Sequence, residues 1–353
     1  MKFSVLLIAV SFVVFDQANL VSEDSVAIDE TAKASAATNG RGWQTLAAVG
    51  VPTARHEASF VSCQGKLYLI GGRRINPVDR FDPATNTWTR HSVTPLELHH
   101  FQAVAIGDAI YLVGAMTGKF PNEVPLEKVI VYYPNEDRFE YGHTIPQSRR
   151  RGAAGAAVYD GKIYIVGGIT NGHQDGFQPW LDCYDPKTGD WTVLEDAAHA
   201  RDHFQAVVVD HRLYAVAGRT THRMTKQVFN LTVAAVDVFD LKNQTWLPLK
   251  TCPDLPVPRA GNMAINVNGK LVVGGGESGD QKTAHREVHI YDPAKQVWSS
   301  WSAFQRGRHG SGFAIADGKL FTASGSGNQG GSPELDSIER LILPPEVNIS
   351  PSR

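Results

Sequence analysis

Short apolar runs alternate with polar turns along the chain, and the runs recur. A strand-like stretch closing on small residues appears six times: KLYLIGG at 66–72, AIYLVGA at 109–115, KIYIVGG at 162–168, RLYAVAG at 212–218, KLVVGGG at 270–276 and KLFTASG at 319–325. Runs of this length bounded by Gly, Asn and Asp predict β-strands. In five units a second strand follows: VDRFDP (78–83), VIVYYP (129–134), LDCYDP (181–186), VDVFDL (236–241) and VHIYDP (288–293). A large aromatic comes next in each of these, at Trp88, Phe139, Trp191, Trp246 and Trp298. Between the second strand and the aromatic lie turns such as DPATNTW and DPKTGDW, where Pro presets φ and Asn or Gly takes the left-handed position.

Self-similarity at about fifty residues, with strands only, predicts radial repetition of four-stranded antiparallel blades. The sixth unit has KLFTASG and SIERLIL (337–343) but no following aromatic strand. That strand is at the other end of the chain, in GRGWQTLAAV with Trp43, so the N-terminal strand is expected to complete the last blade and remove exposed sheet edges. The diglycine strand followed by YDP and Trp resembles the kelch repeat, over residues 41–343. The expectation is an all-β, six-bladed kelch β-propeller closed by its N-terminal strand.

Aligning the units on Tyr68, Tyr111, Tyr164, Tyr214, Val272 and Phe321 places Arg55, Leu98, Arg151, Arg201, Arg259 and Arg308 in one column, thirteen residues upstream. The two following columns are His56-Glu57, His99-His100, Gly152-Ala153, Asp202-His203, Ala260-Gly261 and His309-Gly310. In a propeller the first strand of each blade lines the channel. Its start shares a face with the end of the antiparallel second strand, which brings Arg73, Arg219 and Glu277 to the same side. The expectation is a channel mouth ringed by Arg and filled unevenly by His, with a structural role as the alternative for each Arg: tying neighbouring blades through carbonyls or carboxylates. Blades three and five contribute small residues there, which opens space on one side.

The N-terminus changes the address. One cation and a twelve-residue apolar run, SVLLIAVSFVVF, are too short to cross a bilayer and read as a secretory signal. The expected division is a signal peptide over 1–22, a flexible leader over 23–40, the propeller over 41–343 and a tail over 344–353. A secreted, extracellular protein (periplasmic in a bacterium) is expected, with sequons at Asn230, Asn243 and Asn348. Cys63, Cys183 and Cys252 form no CxxC or metal spacing, and an odd count leaves at least one thiol free. A net charge of −2 offers no field for nucleic acid, and no later segment is apolar enough to span a membrane.

Arginine suits bidentate recognition of carboxylate or sulfate, and neutral His moves protons near neutral pH. With Glu57, Asp202 and Glu277 nearby, this favours a small anionic sugar or glycan. The ligand-binding set is Arg55, His56, Arg73, His99, Arg151, Arg201, Asp202, Arg219, Arg259, Glu277, Arg308 and His309, and the candidate bases are His203, His100 and Glu57. Phe120, Phe177 and Trp180 are candidate stacking surfaces. The resemblance implies two enzymatic precedents, mutarotases of sialic acid and oxidases of galactose, and the chain is similar to the former in size, blade number and Arg-rich mouth. A uronate lyase is a related option. The oxidase copper set requires a Tyr-His pair that is absent, as is the Glu-x3-Asp-x3-His run of iron-using plant relatives. No metal or cofactor is expected, since adjacent His99 and His100 project to opposite sides of a strand. The rival reading is a non-catalytic scaffold that grips an extracellular protein or glycan through the loops 169–180 and 219–235.

Overall fold

The computed structural model describes residues 42–342. The expected signal, leader and C-terminal tail, with Asn348, lie outside the described residues. Six four-stranded antiparallel sheets are present, one per repeat. In the first blade the strands run in chain order: Ala58–Cys63, Lys66–Gly71, Pro77–Asp82 and Thr87–Val93. The innermost strands of the other blades are Gln102–Ile106, Gly155–Tyr159, Gln205–Val209, Met263–Val267 and Phe313–Ala316.

The sixth blade is closed as the sequence pattern requires. Gly42–Thr45 pairs antiparallel with Ile338–Ile342, so the outer strand comes from the start of the chain. Trp43 is buried against Phe304 and Phe313 at the joint between blades five and six. Two other repeat aromatics also bridge: Trp246 and Trp298 donate their indole N–H to the Glu195 and Pro253 carbonyls in the segments that connect blades.

The arginine column works inside each blade, which corrects the expected mouth ring. Arg55, Arg201, Arg259 and Arg308 are 0% exposed and Arg151 is 2% exposed. The Arg201 guanidinium donates to the Ala217 and Ala235 carbonyls and to Asp237, all in its own blade. Arg55 reaches Asp79, Arg151 reaches Asp182, Arg308 reaches Glu339, and Arg259 donates to His289 Nδ1. Each partner lies on the third strand of its blade, opposite the residue that follows the aligned position: Leu69, Ile165, Ala215, Val273 and Thr322. Blade two has Leu98 where the others have Arg, and Ile130 where the others have the partner, both within one apolar cluster. A buried ion pair needs both members, so the pair is replaced as a unit. These five side chains are therefore fasteners of their own blades, and none of them lines the pocket at the channel mouth. It is the backbone at the same positions that joins neighbours: Gly168, Gly218, Gly276 and Gly325 donate to the carbonyls of Arg201, Arg259, Arg308 and Arg55 in the next blade.

Candidate functional site

Two residues past each arginine, and past Leu98 in blade two, the chain turns into the channel. Glu57, His100, Ala153, His203, Gly261 and Gly310 all hold a left-handed backbone, with φ between 52° and 64°. Their amides form a ring. His100 donates to the Glu57 carbonyl, Ala153 to His100, His203 to Ala153, Gly261 to His203 and Gly310 to Gly261. Ala58 closes the circle by donating to Gly310. Left-handed backbone costs a non-glycine residue about 1–2 kcal/mol, and such strain concentrates at functional positions. At three of the six positions the strain serves to aim a polar side chain inward: Glu57, His100 and His203. These are the three candidate bases, brought to one place.

Below the ring the channel is stitched shut. Gln102 accepts from the Ala156 and Ala206 amides and donates to the Ala206 carbonyl. Gln205 accepts from Ala264 and donates to the Ser311 carbonyl. The mouth is consequently a pocket with a floor. It has a volume of about 680 Å3, with His56, Glu57, His100, His173, Glu277 and His309 among its polar lining and Phe120, Val228 and Phe229 as apolar wall. Of the three aromatics expected to stack on a ligand, only Phe120 lines it. Trp180 instead lies under the Arg149 guanidinium, and Phe177 sits 6.5 Å from the His222 ring.

His173 is the residue that the repeat pattern could not reveal. It comes from the turn between Ile169–Asn171 and Asp175–Phe177, an insertion with no counterpart at the same spacing in other blades. Its amide donates to the Pro121 carbonyl, and its ring meets His100 and His203 at centroid distances of 5.0 and 4.7 Å. His203 Nε2 and His173 Nε2 are 3.0 Å apart. Behind them stand carboxylates. His203 Nδ1 rests on Asp202, which Thr221 holds through its hydroxyl at 2.6 Å and its amide at 2.9 Å. His173 Nδ1 lies 3.0 Å from buried Glu123, which Arg73 clasps at 2.5 Å.

Burial, together with neighbouring Arg219, holds the His203 imidazole below its ordinary pKa, and burial among the other rings drives His100 well below it. Both are neutral near pH 7. Burial opposes ionisation of Glu57, yet His309 and His56 keep its carboxyl below the usual range; Glu277 reaches about 2 against the same penalty, held by His309 and Arg219. His99 does not line the pocket: its Nε2 lies on the Gly118 carbonyl at 3.0 Å, and the left-handed His100 brings its own ring against His99 instead of to the opposite side as strand alternation predicted. His56 pairs with Glu334 at 2.8 Å. The mouth arginines are each matched by a carboxylate: Arg73 by Glu123, Arg74 by Glu334 and Arg219 by Glu277 at 2.7 Å. The expected cationic ring is thus a balanced one.

A profile of the Attractin/LZTR1 β-propeller family matches residues 27–283. The kelch-like protein terF of Aspergillus terreus is 26% identical over 320 residues, covering 85% of this chain and 66% of its own length. Alpha-scruin of Limulus polyphemus is 28% identical over 235 residues, covering 64% of this chain and 24% of its own. Kelch-like protein 40 of Xenopus laevis is 27% identical over 178 residues, 48% of this chain and 28% of its own. The chain thus spans under two thirds of the fungal relative's length and about a quarter of the two animal ones. Among solved structures, one titled "Structure of YjhT" superposes with a TM-score of 0.65 at 16% identity, over 82% of this chain and 96% of its own.

Proposed function

The chain belongs to the Attractin/LZTR1 family of β-propellers, in six-bladed kelch form, and from that membership we propose that its channel-mouth pocket binds a compact hydroxylated ligand of the sugar class. The observation that carries this reading is the strained ring, which spends left-handed backbone at Glu57, His100 and His203 to turn polar groups into the channel, where Glu57 and His100 line a floored pocket with an aromatic wall and His203 packs against His100. A mostly apolar cavity with a few convergent polar groups is the usual form of a small-molecule site. Charge pairing at the mouth favours a neutral sugar over the acidic one that the arginine column suggested. Glu57 and the neutral imidazoles also supply what ring opening or elimination asks of a proton acceptor.

The test is calorimetric titration with a panel of neutral sugars, uronates, sialate and sulfated oligosaccharides. Saturable binding of a neutral sugar, weakened at least tenfold by His203→Ala, is expected. Silence across the whole panel overturns the proposal. Anomer exchange followed by NMR on any sugar that binds then reads turnover.

A second reading, a protein-binding propeller, is favoured by Phe120, Val124 and Met224, exposed by 52%, 56% and 72% on the mouth loops. Under that reading Met224→Ser weakens a partner's binding and leaves sugar titrations unchanged. Export is also proposed. It is supported by the apolar stretch at 4–15 and by the exposed sequon residues Asn230 and Asn243. Endoglycosidase should shift the protein secreted by a eukaryotic host, and the shift should vanish in the Asn230→Gln/Asn243→Gln variant.

A further inference from the structure

We propose that His100, His173 and His203 form a metal site at the base of the mouth pocket, taking one divalent transition-metal ion of the zinc type. One ring nitrogen from each of the three lies within 4.8 Å of the others. The inference rests on this geometry and on where the protons must sit, and it stands whether or not the pocket takes a sugar.

Proton bookkeeping fixes the tautomers. The His99 Nε2 partner is a carbonyl, which only accepts, so His99 carries its proton there and presents a bare Nδ1. His100 Nδ1 is 2.7 Å from that nitrogen and must donate to it, which leaves His100 Nε2 bare. The partner of His203 Nδ1 is the Asp202 carboxylate, so His203 Nε2 is bare as well. Glu123 Oε1, 3.0 Å from His173 Nδ1, draws the proton of the third ring to that side. Two bare nitrogens, His203 Nε2 and His173 Nε2, therefore face each other at 3.0 Å. The third, His100 Nε2, has Glu57 Oε2 at 3.4 Å, which is another acceptor. Lone pairs converge here, and a cation is what resolves them.

The surroundings are those of a metal site. Ligating imidazoles characteristically pass their other N–H to a carboxylate or carbonyl, which fixes the ring and raises its basicity. His203 has Asp202 and His173 has Glu123; His100 has His99, itself anchored on a carbonyl. Three imidazoles with one position open to a cavity is the donor set that zinc takes in catalytic sites, and it also suits copper, nickel and iron. Tetrahedral bonds of about 2.0–2.1 Å separate ligand nitrogens by about 3.3 Å, so the observed spacing needs shifts of only about 1 Å or so. Asp202, Glu123 and Glu57 balance the charge of the ion. The open position faces the pocket, where Glu57 is the nearest carboxylate to a bound water or hydroxyl.

The experiment uses the full chain, stripped of metal and titrated with Zn(II) and with Co(II) in the absence of any sugar. One equivalent per chain is expected, with Co(II) giving the intense visible absorption of a tetrahedral site. His173→Ala, a change in a turn outside the blade sheets, should abolish stoichiometric binding while circular dichroism stays unchanged. Asp202→Asn, a positioning change, should weaken affinity about 10–100-fold. The proposal is overturned if the wild-type chain binds neither ion, or if His173→Ala binds both as well as wild type; in either case the facing nitrogens share a proton instead. Failure here leaves the sugar titrations intact, and failure of those leaves the metal stoichiometry intact.

Discussion

At the scale of single residues the fasteners make the sharpest predictions. Arg201→Leu leaves the buried Asp237 carboxylate with only the His199 amide and ring as partners and should cost about 3 kcal/mol in chemical denaturation. Arg201→Leu with Asp237→Ile copies the Leu98 and Ile130 arrangement of blade two, and should recover most of that loss; no recovery would mean the pair acts through more than its charge. In blade five the partner is His289, which burial and Arg259 hold down to about 4 from 6.5. The unfolded chain takes up its proton near 6.5 and the folded one near 4, so this group's contribution is complete above pH 6.5 and declines as pH falls toward 4. His289→Asp restores the acidic partner used elsewhere and should flatten that part of the stability profile. All three cysteines are free and buried, and burial pushes the Cys252 thiol up to about 12 and Cys63 to about 11. Thiol reagents at pH 8 should label none of them until the protein is unfolded.

At the scale of elements the mouth ring sets what each blade can contribute. Gly261 and Gly310 share nearly the same backbone, at φ +61° and +64°, but not the same neighbours. A Cβ at Gly310 would fall 2.7 Å from the Glu57 amide nitrogen, whereas at Gly261 it meets the His309 side chain at 3.3 Å. Gly261→Ala should therefore cost about 1–2 kcal/mol, the left-handed penalty alone, and Gly310→Ala distinctly more. Thermal melts of the two variants measure the difference. The arginine, histidine and aromatic columns were legible from the repeat, because a fixed spacing along short strands repeats the same environment six times. The direction of each column was not. A left-handed residue turns its Cβ away from the course of the strand, so Arg201 points into its blade while His203, two residues on, points into the channel.

For the whole molecule, closure is the decisive contact. Trp43 stands 4.7 Å from Phe304 and 5.8 Å from Phe313, centroid to centroid, on the strand that seals blade six. Trp43→Ala should cost about 3–5 kcal/mol and, by freeing the edge at Ile338–Ile342, raise the tendency to associate. Denaturation together with light scattering reads both effects. Among the described residues no helix is long and apolar enough to cross a membrane.

The sequence by itself determined the blade count, the closing strand, the arginine column and the three inward groups Glu57, His100 and His203. Each of these is set by local pattern, where spacing and residue type carry the information. The tertiary structure decided the rest. It placed the carboxylates Asp79, Asp182, Asp237 and Glu339 against arginines 24 to 36 residues away, which turned an expected ligand ring into internal scaffolding. It also carried His173 from one non-repeating loop onto the rings of His100 and His203, and Glu123 from another onto His173. Loops of unequal length leave no period to read, and only the circular packing of six blades brings their tips over one channel.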